Sequence, residues 1–226
     1  MKVGTDGVLL GAWADVANAN SILDVGTGSG LIALMLAQRT GNHVRIDAVE
    51  LVEQDVRRAS LNVAASPWAH RVRVYHSPIQ DFSGTLPYDL IVSNPPFFAN
   101  SLHSPYAQRN VARHDDQLTV PELMAAVERL LAPNGVFVVI LPVAEAGRFQ
   151  AHANRRGFYC KVRCAVFSQQ GKSQYRWLLV FARGASKCDV EQLVLFEGPE
   201  KTKEYAQLTA DFYLDERIKT SWASKE

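Results

Sequence analysis

The most constraining feature of this chain is a regular alternation of short apolar runs with longer runs of helical spacing. The predicted strands are 21–25, 44–49, 72–75, 89–93 and 136–141, and the helices between or after them are 31–38, 53–63, 120–131 and 144–156. Such alternation predicts a mostly parallel sheet covered by helices on both faces. Runs 159–167 and 176–182 have no helix between them, so they predict a hairpin that contributes one antiparallel strand. The expected fold class is therefore α/β, doubly wound and Rossmann-like.

The remaining segments are assigned as a helix at 8–15, a strand at 190–196 and a helix at 201–213. We expect one domain over 1–220, with a core of about 1–185 and a C-terminal strand and helix within 188–215. Residues 221–226 are polar and predict a disordered tail. Because residues 2–7 already resemble structured loop, we expect the natural chain to begin before Met1.

Composition limits the classes of protein that remain. With 47% hydrophobic and 21% charged residues, the chain is typical of a globular protein. The three cysteines form no CxxC pair, which predicts a reduced, cytoplasmic protein rather than a disulfide framework. No apolar run approaches the roughly 18 residues of a membrane span. A net charge of +1 neither supports nor excludes a nucleic-acid partner.

A glycine-rich segment, residues 24–30 (DVGTGSG), joins the first strand to the first helix of the sheet. Its members are candidates to bind a cofactor, namely Asp24, Gly26, Thr27, Gly28 and Gly30. The glycines permit a tight turn and close approach of a ligand, and the helix that follows offers free N–H groups. The third glycine comes one residue earlier than in a dinucleotide fingerprint. A carboxylate at position 24 disfavours a pyrophosphate and suits a cationic amino-acid group, so S-adenosylmethionine fits best.

An acidic residue, Glu50, ends the second strand about 20 residues after the glycines. An acid at this place accepts hydrogen bonds from a ribose diol in nucleotide-binding folds. Leu51, the next residue, is a candidate for the same site. The alternative for Glu50 is a solvated loop carboxylate, and for Asp24 a partner of the helix dipole.

The segment Asn94, Pro95, Pro96 and Phe97 follows the apolar run 90–93. The two prolines have fixed φ and lack N–H donors, so the segment cannot continue a central strand. It can instead hold an amide oxygen and a carbonyl at fixed positions beside a flat ring, which suits a planar amine. The alternative is a strand that prolines simply terminate.

Together, these motifs resemble class I S-adenosylmethionine-dependent methyltransferases that act on amino groups. Residues 1–13, 66–69 and 210–214 further resemble the tRNA1(Val) adenine N6-methyltransferase family, which methylates adenosine 37. The resemblance implies a seven-stranded sheet with one reversed strand, S-adenosylmethionine as cofactor and tRNA as partner. It gives no obligate protein partner and leaves the oligomeric state open.

The resemblance also implies roles for individual residues. The Asn94 side-chain oxygen and the Pro95 carbonyl accept the two hydrogens of the target amine, beside the cofactor. Pro96 belongs to the same rigid catalytic segment, and Phe97 stacks on the base. Thr5 lies in a segment that folds over the methionine end of the cofactor, although a capping role before helix 8–15 is the alternative.

The chain departs from this family at one expected acid. An acidic residue that contacts the cofactor adenine should follow the third strand, but Pro78 occupies that position. Asp81, three residues later, is the candidate to replace it.

Residues 98–118 form the longest stretch without periodicity, a length that is uncommon unless the loop is functional or disordered. Phe98 and Arg113 are candidates to bind the substrate there, and a solvated loop is the alternative. Basic residues in the C-terminal third are candidates to follow an RNA backbone, namely Arg155, Arg156, Lys161, Arg163, Lys172 and Arg176. The histidines have no metal-binding spacing, so we assign no metal site.

Three alternative functions remain open. A glutamine N5-methyltransferase of proteins uses a similar Asn-Pro-Pro segment, but it usually carries a helical domain before the glycines, where this chain has only about twenty residues. A guanine N2-methyltransferase of ribosomal RNA often contains a duplicated domain. A non-catalytic RNA-binding protein is the third alternative.

Overall fold

The structure, a computed structural model, describes residues 4–84, 87–96 and 118–213. Its strands are β1 (Ser21–Val25), β2 (Arg45–Glu50), β3 (Val72–His76), β4 (Tyr88–Ser93), β5 (Leu131–Pro142), β6 (Phe158–Gln169), β7 (Gln174–Arg183), β8 (Asp189–Glu197) and β9 (Glu200–Lys201). Its helices are α1 (Thr5–Trp13), α2 (Leu31–Arg39), α3 (Glu53–Ala64), α4 (Val120–Leu130), α5 (Val143–Arg155) and α6 (Lys203–Leu208), followed by a 3-10 turn (Ala210–Phe212).

The strands form one sheet in the order β3-β2-β1-β4-β5-β7-β6-β8-β9. Strands β1 to β5 are mutually parallel, and β7 runs antiparallel between β5 and β6. The predicted α/β fold and its hairpin are thus confirmed. The implied count of seven strands is wrong, since the described residues contain nine. The difference arises because β8 extends the sheet in parallel beside β6, and β9 then pairs antiparallel with β8.

Two apolar cores lie on opposite faces of the sheet. Helices α1 and α2, Val63 of α3 and Tyr205 of α6 pack on one face, and α4 and α5 pack on the other. Helix α4 shows why the sequence folds this way locally. Thr119 and Glu122 form a reciprocal capping box at its start, and Pro121 occupies the first turn, where no N–H partner is needed.

Two helix boundaries differ from their predictions. Helix α1 begins at Thr5 rather than residue 8, with Gly4 as N-cap and no side-chain cap, so the capping role weighed for Thr5 is wrong. The helix predicted at 201–213 is reduced to Lys203–Leu208, because Lys201 pairs with Phe196 in β9 and the Thr202 side chain caps the helix that follows. No helix within the described residues is long and apolar enough to cross a membrane.

The chain order reverses between β1 and β4, because β2 and β3 lie to one side of β1 whereas β4 and β5 lie to the other. Doubly wound sheets bind ligands at the carboxyl ends of the strands at such a reversal. This reversal therefore locates the candidate site before any side chain is considered.

Candidate active site

Three predicted site residues leave the sheet side by side at the reversal. Val25 is the register partner of Val49 on one side and of Ser93 on the other. The next residues along the three strands are Gly26, Glu50 and Asn94. Parallel pairing therefore brings together motifs separated by about 70 residues in the sequence, as their positions at strand ends predicted.

The glycine segment begins α2 in a conformation that only glycine adopts easily. Gly30 is the N-cap of α2 and has a φ of 82°, so it supplies no side chain to cap the helix. Asp24 performs that role from β1, since its Oδ2 accepts from Ala33 N at 3.2 Å. The same oxygen accepts from Thr27 Oγ1 at 2.6 Å, which fixes the loop. The helix-partner role of Asp24 is therefore present in the structure.

The second carboxylate oxygen of Asp24 is unusual. The side chain is fully buried, and within the described residues its Oδ1 has no hydrogen-bond partner. Burial raises the pKa of Asp24 to about 7, while the hydrogen bonds from Thr27 and Ala33 oppose this shift and the nearby charge of Glu50 adds to it. A buried oxygen without a hydrogen-bond partner requires an explanation. A cationic ligand group near Asp24 Oδ1 would provide one, and it would also favour the ionised form of the carboxyl group.

Gly26, Glu50 and Asn94 form a row at the ends of their strands. Within this row, Glu50 accepts hydrogen bonds from the glycine loop and from the two residues that follow it. Its Oε2 accepts from Gly28 N at 2.9 Å, and its Oε1 accepts from Leu51 N at 2.9 Å and Val52 N at 3.0 Å. The carboxylate thus holds the glycine loop beside the end of β2. Leu51 and Val52 are 44% and 36% exposed, so apolar surface lies next to this carboxylate. A carboxylate beside apolar surface suits a nucleoside, because Glu50 can bind the ribose diol while Leu51 and Val52 contact the flat base.

Asp81 lies in a turn directly after β3, where its N–H donates to Pro78 O at 3.1 Å. Together with Ser77 and Phe82 it lines a pocket of about 360 Å³. Ser77 N donates to Glu50 O at 3.1 Å, so this pocket adjoins the Glu50 end of the row. Contact between Asp81 and the cofactor stays a prediction.

A residue that sequence reasoning missed stabilises this turn. The Arg129 guanidinium of α4 donates to Phe82 O at 2.6 Å, Ile79 O at 3.0 Å and Gln80 O at 3.2 Å. No pattern in the sequence distinguishes Arg129 from other helix arginines, because its partners are carbonyls nearly fifty residues away.

A larger pocket, of about 590 Å³, joins the N-terminal helix to the segment after β4. Its lining includes Thr5 and Asp6 on one side and Asn94, Pro95 and Pro96 on another. The structure therefore brings together the predicted cofactor segment and the predicted amine receptor. Asn94 is half-buried, Pro95 is buried and Pro96 is exposed.

The third wall of this pocket, which sequence reasoning did not assign, comes from the C-terminal strands, through Ser168, Tyr175, Arg176, Leu195 and Phe196. Arg176 Nε donates to Asp6 Oδ2 at 2.8 Å, an ion pair between side chains that are 22% and 16% exposed. The guanidinium also lies 4.9 Å from the centre of the Tyr175 ring. Arg176 was expected only as one of several basic surface residues, but it forms part of the pocket wall.

Phe97, Phe98 and Arg113 lie outside the described residues, as do the predicted tail 221–226 and most of the long loop. Their roles stay predictions. Among residues 4–84, 87–96 and 118–213, no group of three or more His, Cys, Asp or Glu side chains is placed to hold a metal ion.

The residues present fit S-adenosylmethionine. The orphan oxygen of Asp24 suits the ammonium group, Glu50 suits the ribose hydroxyls, and exposed Leu51 suits the adenine ring. The glycine loop leaves room for a ligand between these groups, because Gly26 is exposed and has a φ of 72°.

Comparison with known proteins agrees with this geometry. The family model described as the methyltransferase small domain matches residues 4–143. Fold, site and family together define a class I S-adenosylmethionine-dependent methyltransferase. A tRNA1(Val) (adenine(37)-N6)-methyltransferase from Aeromonas hydrophila subsp. hydrophila is 47% identical over 215 residues, which cover 95% of this chain and 91% of that protein. A protein of the same name from Phocaeicola vulgatus is 45% identical over 95% of this chain and 92% of its own length. The chain belongs to the family of the tRNA1(Val) (adenine(37)-N6)-methyltransferases.

Solved structures show the same fold at low sequence identity. A predicted O-methyltransferase from Agrobacterium tumefaciens superposes with a TM-score of 0.68 at 16% identity, covering 91% of this chain and 96% of that chain. The glycopeptide N-methyltransferase MtfA in complex with S-adenosylmethionine gives 0.59 at 13% identity, over 80% of this chain and 94% of that one. These likenesses show the fold alone.

Proposed function

We propose that this chain transfers a methyl group from S-adenosylmethionine to N6 of an adenine in tRNA, and that the base is adenosine 37 of tRNA1(Val). The observation that carries the proposal is the 590 Å³ pocket in which Asn94 and Pro95 face the N-terminal segment at Thr5. The names of relatives at 45–47% identity supply the substrate. A tRNA substrate also implies a cytoplasmic location, with tRNA as the partner.

The proposed chemistry depends on orientation. The lone pair of an adenine amine is delocalised into the ring, so the amine is a weak nucleophile. Two acceptors, the Asn94 amide oxygen and the Pro95 carbonyl, bind both amine hydrogens and favour the geometry in which the lone pair is localised on nitrogen and points at the methyl group. S-adenosylmethionine supplies an electrophilic methyl group on a cationic sulfur. No strong base is required before attack, because the neutral amine would attack: the N–C bond forms as the C–S bond breaks, and S-adenosylhomocysteine leaves. The nitrogen is then cationic and acidic, and it releases one proton to solvent. The contribution of the protein is then positioning and preorganised polarity.

The rigidity of the segment follows from its sequence and its support. Ser93, directly before it, is fully buried, and its hydroxyl donates to Val25 O at 2.9 Å. Two prolines then fix φ at successive residues. The acceptors are therefore tied to the same strand end as the glycine loop, which holds the distance between amine and cofactor constant.

The test is methyl transfer from labelled cofactor to tRNA1(Val) transcript, to the same transcript with guanosine at position 37, to ribosomal RNA and to a protein extract. Nucleoside analysis of the product should show N6-methyladenosine only in the first tRNA. Label in guanine or in glutamine would instead support one of the two alternative enzymes. Absence of transfer, despite cofactor binding by calorimetry, would support a non-catalytic RNA-binding protein.

Asn94→Ala tests the role of the amide. We expect transfer to fall about 100-fold or more, the usual cost of removing one preorganised polar group, with cofactor affinity nearly unchanged. Asn134→Ala is the matched control, because Asn134 is exposed near the amino end of β5, away from the row of strand ends. Undiminished transfer by Asn94→Ala would exclude the proposed role.

A further inference from the structure

The C-terminal strands form a surface that continues outward from the methyl-transfer pocket. Phe196 lines that pocket together with Asn94. Lys201 is the register partner of Phe196 across β8 and β9. Side chains of such partners lie on the same face of a sheet. Lys201 is therefore the cross-strand neighbour of a residue of the pocket wall, on the same face of the sheet.

Aromatic rings surround this lysine. Its Nζ lies 3.6 Å from the centre of the Tyr213 ring and 5.3 Å from that of Tyr205. The Tyr205 ring in turn contacts Phe196 edge-on, with centroids 5.8 Å apart. Tyr205 is buried and supports the group, whereas Tyr213 is 45% exposed. One cation and one half-exposed ring are therefore held together beside a buried ring.

The tip of the β6–β7 hairpin borders the same surface. Gln170 N donates to Phe196 O at 3.0 Å, and the Gln169 side chain donates to Gly198 O at 3.3 Å. These bonds fix the hairpin against β8. Lys172, at the tip of this hairpin, adds an exposed cation to the same edge of the sheet.

Two acidic residues of the β8–β9 hairpin lie on its other face. Glu197 and Glu200 are the next register pair after Phe196 and Lys201. Because successive side chains in a strand alternate between faces, these two carboxylates project to the opposite side of the hairpin. Neither carboxylate of this register pair therefore lies beside the Lys201 ammonium group.

We propose that Lys201 and Tyr213 bind single-stranded RNA, namely nucleotides of the anticodon loop that flank the methylated adenine. This inference rests on the proposed function and adds a surface outside residues 4–143, the span of the methyltransferase family model. An exposed ring stacks on any base, and an ammonium group binds a backbone phosphate. The surface adjoins the pocket that holds Asn94, so its occupant is continuous with the target nucleotide.

The test uses full-length Lys201→Gln and Tyr213→Ala, with Lys187→Gln as control. Lys187 is exposed and lies two residues before β8, at the end of the strand remote from the pocket. We expect Lys201→Gln to weaken tRNA binding and to lower the slope of log Kd against log salt by about 0.7, the value for one phosphate contact in a single strand. Tyr213→Ala should weaken binding about 5-fold or more, with the slope unchanged. Cofactor affinity should stay at the wild-type value in both variants, and circular dichroism should show that both are folded at the assay temperature.

The outcomes separate this inference from the proposed function. If wild-type protein does not methylate tRNA, the proposed function fails. If it does, and both variants bind tRNA as wild type does, only the surface assignment is wrong. Equal losses in Lys187→Gln and Lys201→Gln would also overturn the assignment, because the effect would then be general charge attraction.

Discussion

Asp24→Asn should make the ligand-free protein more stable while it weakens cofactor binding. Burial raises the pKa of Asp24 from 3.8 to about 7, a shift of roughly 3 units. At about 1.36 kcal/mol per unit, ionised Asp24 costs the folded protein up to about 4 kcal/mol above pH 7. Asparagine keeps an oxygen for Thr27 and Ala33 and carries no charge, so it removes that cost.

The sign and the pH window follow from the direction of the shift. A carboxyl group with a raised folded pKa binds more protons in the folded than in the unfolded state between pH 3.8 and about 7. Its contribution to stability is therefore lost as pH rises through that window. We expect wild type and Asp24→Asn to have similar unfolding free energies near pH 4, and the variant to exceed wild type progressively up to pH 8.

Cofactor binding should respond in the opposite direction. An ammonium group near Asp24 favours the ionised carboxylate, so wild-type affinity should rise as pH increases from 5 to 7, by at most about tenfold per unit. Asp24→Asn should bind more weakly and lose this pH dependence. Urea unfolding followed by circular dichroism and calorimetry with S-adenosylmethionine measure the two effects. A variant that is equally destabilised at pH 4 and pH 8 would refute the burial argument, and an unchanged pH dependence of binding would remove the ammonium contact.

Three further predictions test packing, thiol chemistry and the ribose site. Gly11→Ala should destabilise the fold by about 1–2 kcal/mol in urea unfolding, because the new Cβ would lie 2.8 Å from Met35 Sδ between α1 and α2. Gly147→Ala should instead stabilise it by about 0.5–1 kcal/mol in the same assay, because Gly147 is at an exposed position of α5 and its new Cβ would have no atom within 4 Å. Cys160 and Cys164 should resist iodoacetamide at pH 8 until urea is added, since burial raises the pKa of each thiol to about 12, and mass spectrometry showing rapid labelling of the folded protein would contradict this. Glu50→Ala should bind S-adenosylmethionine about tenfold or more weakly by calorimetry, since a hydrogen bond to a charged acceptor contributes roughly 1.5–3 kcal/mol, and unchanged affinity would exclude the carboxylate from the ribose site.

The row of strand ends could be predicted from the sequence because local signals and parallel pairing determine it. Gly26, Glu50 and Asn94 each follow an apolar run, and parallel strands of similar length bring their carboxyl ends to one edge. Hairpin β6–β7 was predictable for a similar reason, since two strand-like runs follow one another without a helix.

The walls of the pocket could not be predicted in this way. Asp6 and Arg176 are 170 residues apart, and nothing local to either indicates the other. Strand β9 has only two residues, too few for a period to appear, and its pairing converts the start of a predicted helix into a strand. The division of the chain into a core of about 1–185 and a C-terminal part stays a prediction, although one sheet spans both.

Asp24 accepts a hydrogen bond from the start of α2 and is also the candidate partner of a cationic ligand. These two roles affect how the activity of related proteins is inferred from this residue. Helix α2 starts at a glycine whose φ of 82° excludes most side chains, and the carboxylate of Asp24 is what satisfies an N–H in its first turn. A descendant that had lost methyl transfer would still need this acceptor to begin the helix. Asparagine would supply that oxygen without the cost of a buried charge, so selection for folding alone would not preserve the acid. A homologue that retains aspartate here is therefore expected to retain a cationic ligand that balances it.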